Sequence, residues 1–110
     1  MNCEPEQVVL QAGTQAALGN LIDLFDPMRD GVAIENPGYD GAMAVFRNRG
    51  FRIAPLPVCP DITEAQQDVF ASRLYASGAK LAFCTPSNQF PLGMTMPLSM
   101  RVRLIKWAAE

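Results

Sequence analysis

The sequence contains no histidine among its 110 residues. That absence removes the Ser-His-Asp and Cys-His arrangements, in which an imidazole takes the nucleophile's proton. It also removes the common zinc patterns. The three cysteines, Cys3, Cys59 and Cys84, stand far apart, form no Cys-x-x-Cys pair and are odd in number. Cys59 and Cys84 read as small apolar residues near strand ends, and no metal site is expected. Long apolar runs are missing too: no stretch approaches the roughly 18 residues that a helix needs to cross a bilayer. The first residues, MNCEPEQ, carry two acids and no basic segment. This argues against a signal peptide and makes the cytoplasm the expected compartment. An excess of one charge is also lacking, with nine basic residues against eleven acidic ones for a net charge of −2. Arg47, Arg49 and Arg52, and further on Arg101, Arg103 and Lys106, read as solvated surface. That balance provides no footprint for a nucleic-acid backbone, so no nucleic acid is expected to bind this segment.

What is present is a globular composition. Hydrophobic residues make up 49% and charged residues 18%, which supports a packed core and argues against disorder. The length suits one small domain. The chain is organised around residues 8–25, VVLQAGTQAALGNLIDLF. This reads as a short buried strand over 8–12, a tight Gly13-Thr14-Gln15 turn, and an amphipathic helix. The free N–H groups at the start of such a helix, together with its dipole, suit an anion such as phosphate. Taken alone the signal is weak, because many strand-glycine-helix turns hold nothing.

Asp26-Pro27 and Gly31 mark a reversal. Residues 31–36 read as a second strand ending at Pro37-Gly38. Residues 39–50 read as a helix with Ala42, Val45 and Phe46 on one stripe and Gly50 as its left-handed cap. Residues 51–58, FRIAPLPV, alternate imperfectly, and Pro55 and Pro57 cannot donate to a ladder, so an edge strand is expected. Thr63 and Gln66 form a capping box for a helix over 63–77, with Val69, Phe70 and Leu74 toward the core and Gly78 at its end. Asp61, Glu64 and Asp68 read as a solvated face. Residues 79–84 form an apolar, and therefore central, fourth strand. An irregular loop over 85–96 precedes a last helix over 98–109, whose Met100, Leu104 and Trp107 are packing residues.

The order β-α-β-α-β-α-β-α, with connections of crossover length, predicts a three-layer α/β/α sandwich on a mainly parallel four-stranded sheet. In such sheets ligands sit at the carboxyl ends of the strands. Gly13-Thr14-Gln15, Asn36-Pro37-Gly38-Tyr39 and the amide-rich loop Thr85-Pro86-Ser87-Asn88-Gln89-Phe90-Pro91 all fall there. An anion-binding turn, an aromatic ring and a set of amides on one edge would suit a flat aromatic cofactor bearing a phosphate.

These motifs, QAGTQAAL, ENPGYDGA and CTPSNQFPLGMTM, resemble in order and spacing the first part of the cofactor domain of fold-type I pyridoxal-phosphate aminotransferases. They are most similar to the aminotransferase-like domain of MocR/GabR-type (GntR-family) transcription regulators. The resemblance runs from about residue 5 to residue 110. It implies that Gly13, Thr14 and Gln15 hold the cofactor phosphate, that Tyr39 stacks on the pyridine ring, and that Asn88 and Gln89 approach the ring hydroxyl side. Asn88 stands where these regulators usually carry histidine. Gly41 stands where some members carry an arginine for a substrate carboxylate. For Asn88 and Gln89 a second reading stays open: loop amides that hold their own backbone.

In this family the lysine that carries the cofactor, and the aspartate on the pyridine nitrogen, lie on later strands. Lys80 and Lys106, the lysines present, have neither the position nor the context. The resemblance therefore implies that residues 1–110 are a single partial cofactor-binding domain, not catalytic alone, with weak or no cofactor binding in isolation. The larger protein would be a regulator responding to an amino-acid-like effector, with DNA bound through another domain; the alternative is a true amino-acid aminotransferase. The family sheet also places the third, second and fourth strands side by side and pairs the first with a late strand. Residues 8–12 are thus expected either to pair with residues 81–84 or to associate with another chain, giving a homo-oligomer.

Overall fold

The computed structural model describes residues 3–58 and 62–110. The expected places of Cys59 at a strand end and of Asp61 on a solvated face lie outside the described residues. The sheet is built around β1 (Gly31–Asn36), whose run Val32-Ala33-Ile34 has no polar face and is buried on both sides. It lies between β2 (Arg52–Pro57) and β3 (Ala79–Phe83), in the order β2-β1-β3, with both pairs parallel. Helix α1 (Thr14–Ile22) and helix α2 (Asp40–Asn48) cover one face. There Leu18, Ile22, Ala42 and Phe46 pack with Val32, Ile34 and Phe51. Helix α3 (Glu64–Ala76) and helix α4 (Leu98–Ala109) cover the other, where Phe70, Leu74 and Met100 meet Ala33, Leu56, Ala79 and Met96. Full burial of each large apolar side chain contributes about 1.5–3 kcal/mol, so alternate residues of β1 serve separate cores. The three-layer parallel α/β sandwich read from the sequence is the fold.

Local signals set the boundaries. Thr63 and Gln66 form the reciprocal capping box: Thr63 Oγ1 accepts the Gln66 N–H at 3.3 Å, and Gln66 Oε1 accepts the Thr63 N–H at 2.7 Å. At the end of α2, Gly50 adopts φ +81°. Its N–H donates to the Arg47 carbonyl while the Phe51 N–H reaches the Phe46 carbonyl, the paired bonds of a Schellman cap. That turn delivers Phe51 edge-on to Phe46, with ring centroids 5.9 Å apart. Helix α4 starts and stops where expected, and Met100, Leu104 and Trp107 all face the second core.

Three expectations are corrected. Residues 8–12 do not form a strand, and the sheet has three strands rather than four. A one-turn 3-10 helix, Pro5–Gln7, precedes them, and they then run irregularly with Val9 73% and Leu10 91% exposed. Apolar β-branched residues favour a strand only where a neighbour supplies the ladder, and among the described residues none does; residues 81–84 do not pair with them. Second, β3 is an edge strand and β1 is central. The apolar run in β3 reports helices on both faces, which is a different matter from a strand on both sides. Third, Val69 is exposed, because α3 turns Phe70, Ala71 and Leu74 inward. Smaller shifts occur at helix ends: α1 stops at Ile22, and Tyr39 caps α2 from outside.

Candidate functional site

The carboxyl ends of β1 and β3 lead into the two segments singled out in the sequence, and the start of α1 meets them. Gly13 is the N-cap of α1 with φ +127° and makes no side-chain cap bond. The first N–H groups of any α-helix have no partner within the helix, and here Gly13, Thr14 and Gln15 are all exposed. Gln15 reaches across to the end of β1, where its Nε2 donates to the Tyr39 hydroxyl at 3.0 Å. A side-chain contact thus joins the Gly13-Thr14-Gln15 turn to the aromatic ring. Gly41, in the first turn of α2, lies beneath both groups: a Cβ there would run into Gln15 Nε2 and the Tyr39 ring. The contact therefore uses the space that a larger residue at 41 would claim.

Tyr39 follows a turn folded tightly on its own strand. A Cβ at Gly38 would collide with the Glu35 carbonyl, so glycine is required for the approach. On the neighbouring strand the loop over 85–96 is irregular but heavily bonded. Asn88 is exposed and adopts φ +52°, a left-handed conformation that asparagine tolerates. Gln89 is 2% exposed. Its Nε2 donates to the Pro37 carbonyl at 2.9 Å and to Glu35 Oε2 at 3.4 Å, and its Oε1 accepts the Leu92 N–H at 3.2 Å. Of the six residues read from the sequence, the structure puts Gly13, Thr14, Gln15 and Tyr39 together. Asn88 sits on the adjoining loop, without a hydrogen bond to them among the described residues. Gln89 is turned inward as a brace.

Two participants escaped the sequence reading. Glu35 is 2% exposed at the end of β1 and accepts the Thr85 N–H at 3.0 Å. Burial holds its carboxyl above the usual range, opposed by the bonds from Thr85 and Gln89. Burial, then the Glu35 charge, pushes the Cys84 thiol up to about 12, so this cysteine is no nucleophile near neutral pH. Arg101 of α4, read from the sequence as solvated surface, is the second, and that reading is corrected: its guanidinium donates to the Met96 carbonyl at 3.0 Å, the Pro86 carbonyl at 2.6 Å and Ser87 Oγ at 3.0 Å. An acid ending an otherwise apolar strand was a visible signal for Glu35. No local pattern marked Arg101.

An open helix start beside an exposed ring has the shape to fit a phosphorylated aromatic ligand, for which Gly13, Thr14 and Gln15 would offer phosphate contacts and Tyr39 a stacking face. They do not supply a covalent anchor. Lys80 opens β3, and at about 3.3 Å per residue the five positions to Thr85 separate it from this edge by about 16 Å. Lys106 lies in the last turn of α4. Among the described residues no helix is long and apolar enough to cross a membrane.

No protein-family model matches the chain. Over 110 residues it is 34% identical to the HTH-type transcriptional regulator YdeL of Bacillus subtilis, covering all of this chain and 22% of that protein. It is 37% identical over 106 residues to the probable rhizopine catabolism regulatory protein MocR of Rhizobium meliloti, covering 96% of this chain and 20% of the relative. The chain therefore spans about a fifth of these relatives. Among solved structures, LysN, the α-aminoadipate aminotransferase of Thermus thermophilus, superposes with a TM-score of 0.72 at 29% identity, over 88% of this chain and 24% of that one. The chain is homologous to MocR-type HTH regulators and to aminotransferases, and over its length it has the fold of fold-type I pyridoxal-phosphate enzymes.

Proposed function

We propose that residues 1–110 are part of a pyridoxal-phosphate-binding, aminotransferase-like effector domain of a transcription regulator. In this reading the N–H groups and side chains of Gly13, Thr14 and Gln15 hold the phosphate, and Tyr39 stacks on the ring. Asn88 offers its amide on the ring hydroxyl side, and Gln89 holds that loop from behind. When bound, the cofactor supplies an electron sink for amino-acid chemistry; this segment contributes binding and orientation. The longer cytoplasmic protein would respond to an amino-acid-like effector, act as a homo-oligomer, and contact DNA outside this segment.

The observation that carries the reading is the 3.0 Å bond from Gln15 Nε2 to the Tyr39 hydroxyl, which joins phosphate turn and ring platform. The likeness to LysN favours a second reading, a segment of an amino-acid aminotransferase. Titration of the chain with pyridoxal 5'-phosphate, followed through its backbone amide resonances, tests the site. Thr14, Gln15 and Tyr39 should shift together, weakly and reversibly. Borohydride treatment should leave the protein mass unchanged. Shifts confined to other regions, or cofactor mass added at Lys80 or Lys106, would overturn the reading.

A further inference from the structure

Glu35 takes no part in the binding just described, yet it is an almost fully buried carboxylate at the same edge. A buried carboxylate is costly unless the fold uses it, and the raised proton affinity of Glu35 is a sign of that cost. Its surroundings say what it is used for. Glu35 Oε2 accepts the N–H of Thr85, the second residue beyond β3, at 3.0 Å, and the Gln89 amide at 3.4 Å. The same Gln89 nitrogen donates to the carbonyl of Pro37, two residues before Tyr39, at 2.9 Å. One carboxylate oxygen and one amide nitrogen thus tie together the end of β1, the turn carrying Tyr39, the end of β3 and the loop carrying Asn88.

We propose that Glu35 is a positioning residue, fixing the Tyr39 turn against the Asn88 loop at the cofactor edge. The inference rests on the reading of this edge as the pyridoxal-phosphate site. The geometry demands a group that only accepts. Thr85 N–H and one Gln89 proton converge on it, while the other Gln89 proton serves Pro37. Glutamine at 35 could present only a neutral carbonyl at this point, and a neutral acceptor holds the Thr85 and Gln89 N–H groups more weakly than a carboxylate does. The phosphate turn at Gly13–Gln15 has no direct bond to this cluster among the described residues and meets it only through the Gln15 contact to the Tyr39 hydroxyl, so phosphate binding is separable from placement of the ring.

The test uses the 110-residue chain, amide resonances, and two probes: pyridoxal 5'-phosphate and inorganic phosphate. Glu35→Gln should weaken the first at least fivefold and leave the second within twofold. Unchanged pyridoxal-phosphate binding, or an equal loss of both, would overturn the positioning role, the latter marking general destabilisation. If Glu35→Gln does not fold, Gln89→Met breaks the same bridge with the carboxylate retained, and the same split is expected. If the unaltered chain binds neither probe, it is the cofactor reading that fails. The tie between turn and loop is then decided by hydrogen exchange: Thr85 and Leu92 amides exchanging at least tenfold faster in Glu35→Gln sustain it, and unchanged exchange sinks it.

Discussion

Residues 8–12 and residues 85–96 are both irregular segments beside the same sheet, and they are held in opposite ways. The first has the composition of a strand, and its apolar side chains lie open to solvent, Leu10 at 91%. The second has the composition of a loop, yet its own Gln89, Glu35 of β1 and Arg101 of α4 satisfy its backbone. Strand-like composition does not order a backbone without a ladder partner, whereas buried polar side chains can order one without any ladder. Order in this molecule follows where the N–H and C=O groups go.

The contrast can be broken at several points. Gln89→Ala should be the most damaging change, about 3 kcal/mol in urea unfolding. It removes the bonds to the Pro37 carbonyl, the Leu92 N–H and the Glu35 carboxylate, and each such bond contributes about 1 kcal/mol. Arg101→Met removes the other clamp at roughly 1–2 kcal/mol and should accelerate amide exchange in the loop before it affects the sheet. A loss below 0.5 kcal/mol in both variants would mean that the loop is not braced as described.

A third effect is a slope with pH. The folded state holds Glu35 at a raised pKa against an ordinary value of 4.5, so the native chain binds the extra proton. Its stability contribution is therefore full below the ordinary value and declines as pH rises through the raised one. Cys84, which faces it, stays neutral across that range. Glu35→Gln should flatten this part of the stability profile, and an unchanged slope would assign it to another group. Smallest of all, Leu10→Ser should change stability by no more than about 0.5 kcal/mol. A cost above 1.5 kcal/mol would show that residues 8–12 are buried in solution, and would remove the contrast.

Much of this was legible in the sequence because local chemistry decides it. The Thr63–Gln66 box, the Gly50 cap, the prolines of β2 and the start of α4 all came out as read. Gly13, Thr14, Gln15 and Tyr39 were found together because motif order on alternating elements brings strand ends to one edge. The pairing of residues 8–12 was misjudged because periodicity describes side chains and says nothing of available neighbours. Val69 and Phe70 differ by one helical step, 100° of rotation, which a sparse apolar pattern does not resolve. Arg101 stayed hidden because its partners lie up to 15 residues away, and only the fold brings them together.

The prolines of β2 carry a last consequence. Val58 N–H donates to the Asn36 carbonyl, so even-numbered amides of this strand point toward β1 and odd-numbered ones point away. Pro55 and Pro57 fall on the outward side, so of the outward positions of β2 only Ile53 keeps a donor, too few for the ladder another strand would need. The sheet is a one-way template: closed to extension at β2, it can lengthen only beside β3, so any strand that joins it must arrive between the helices α1 and α4.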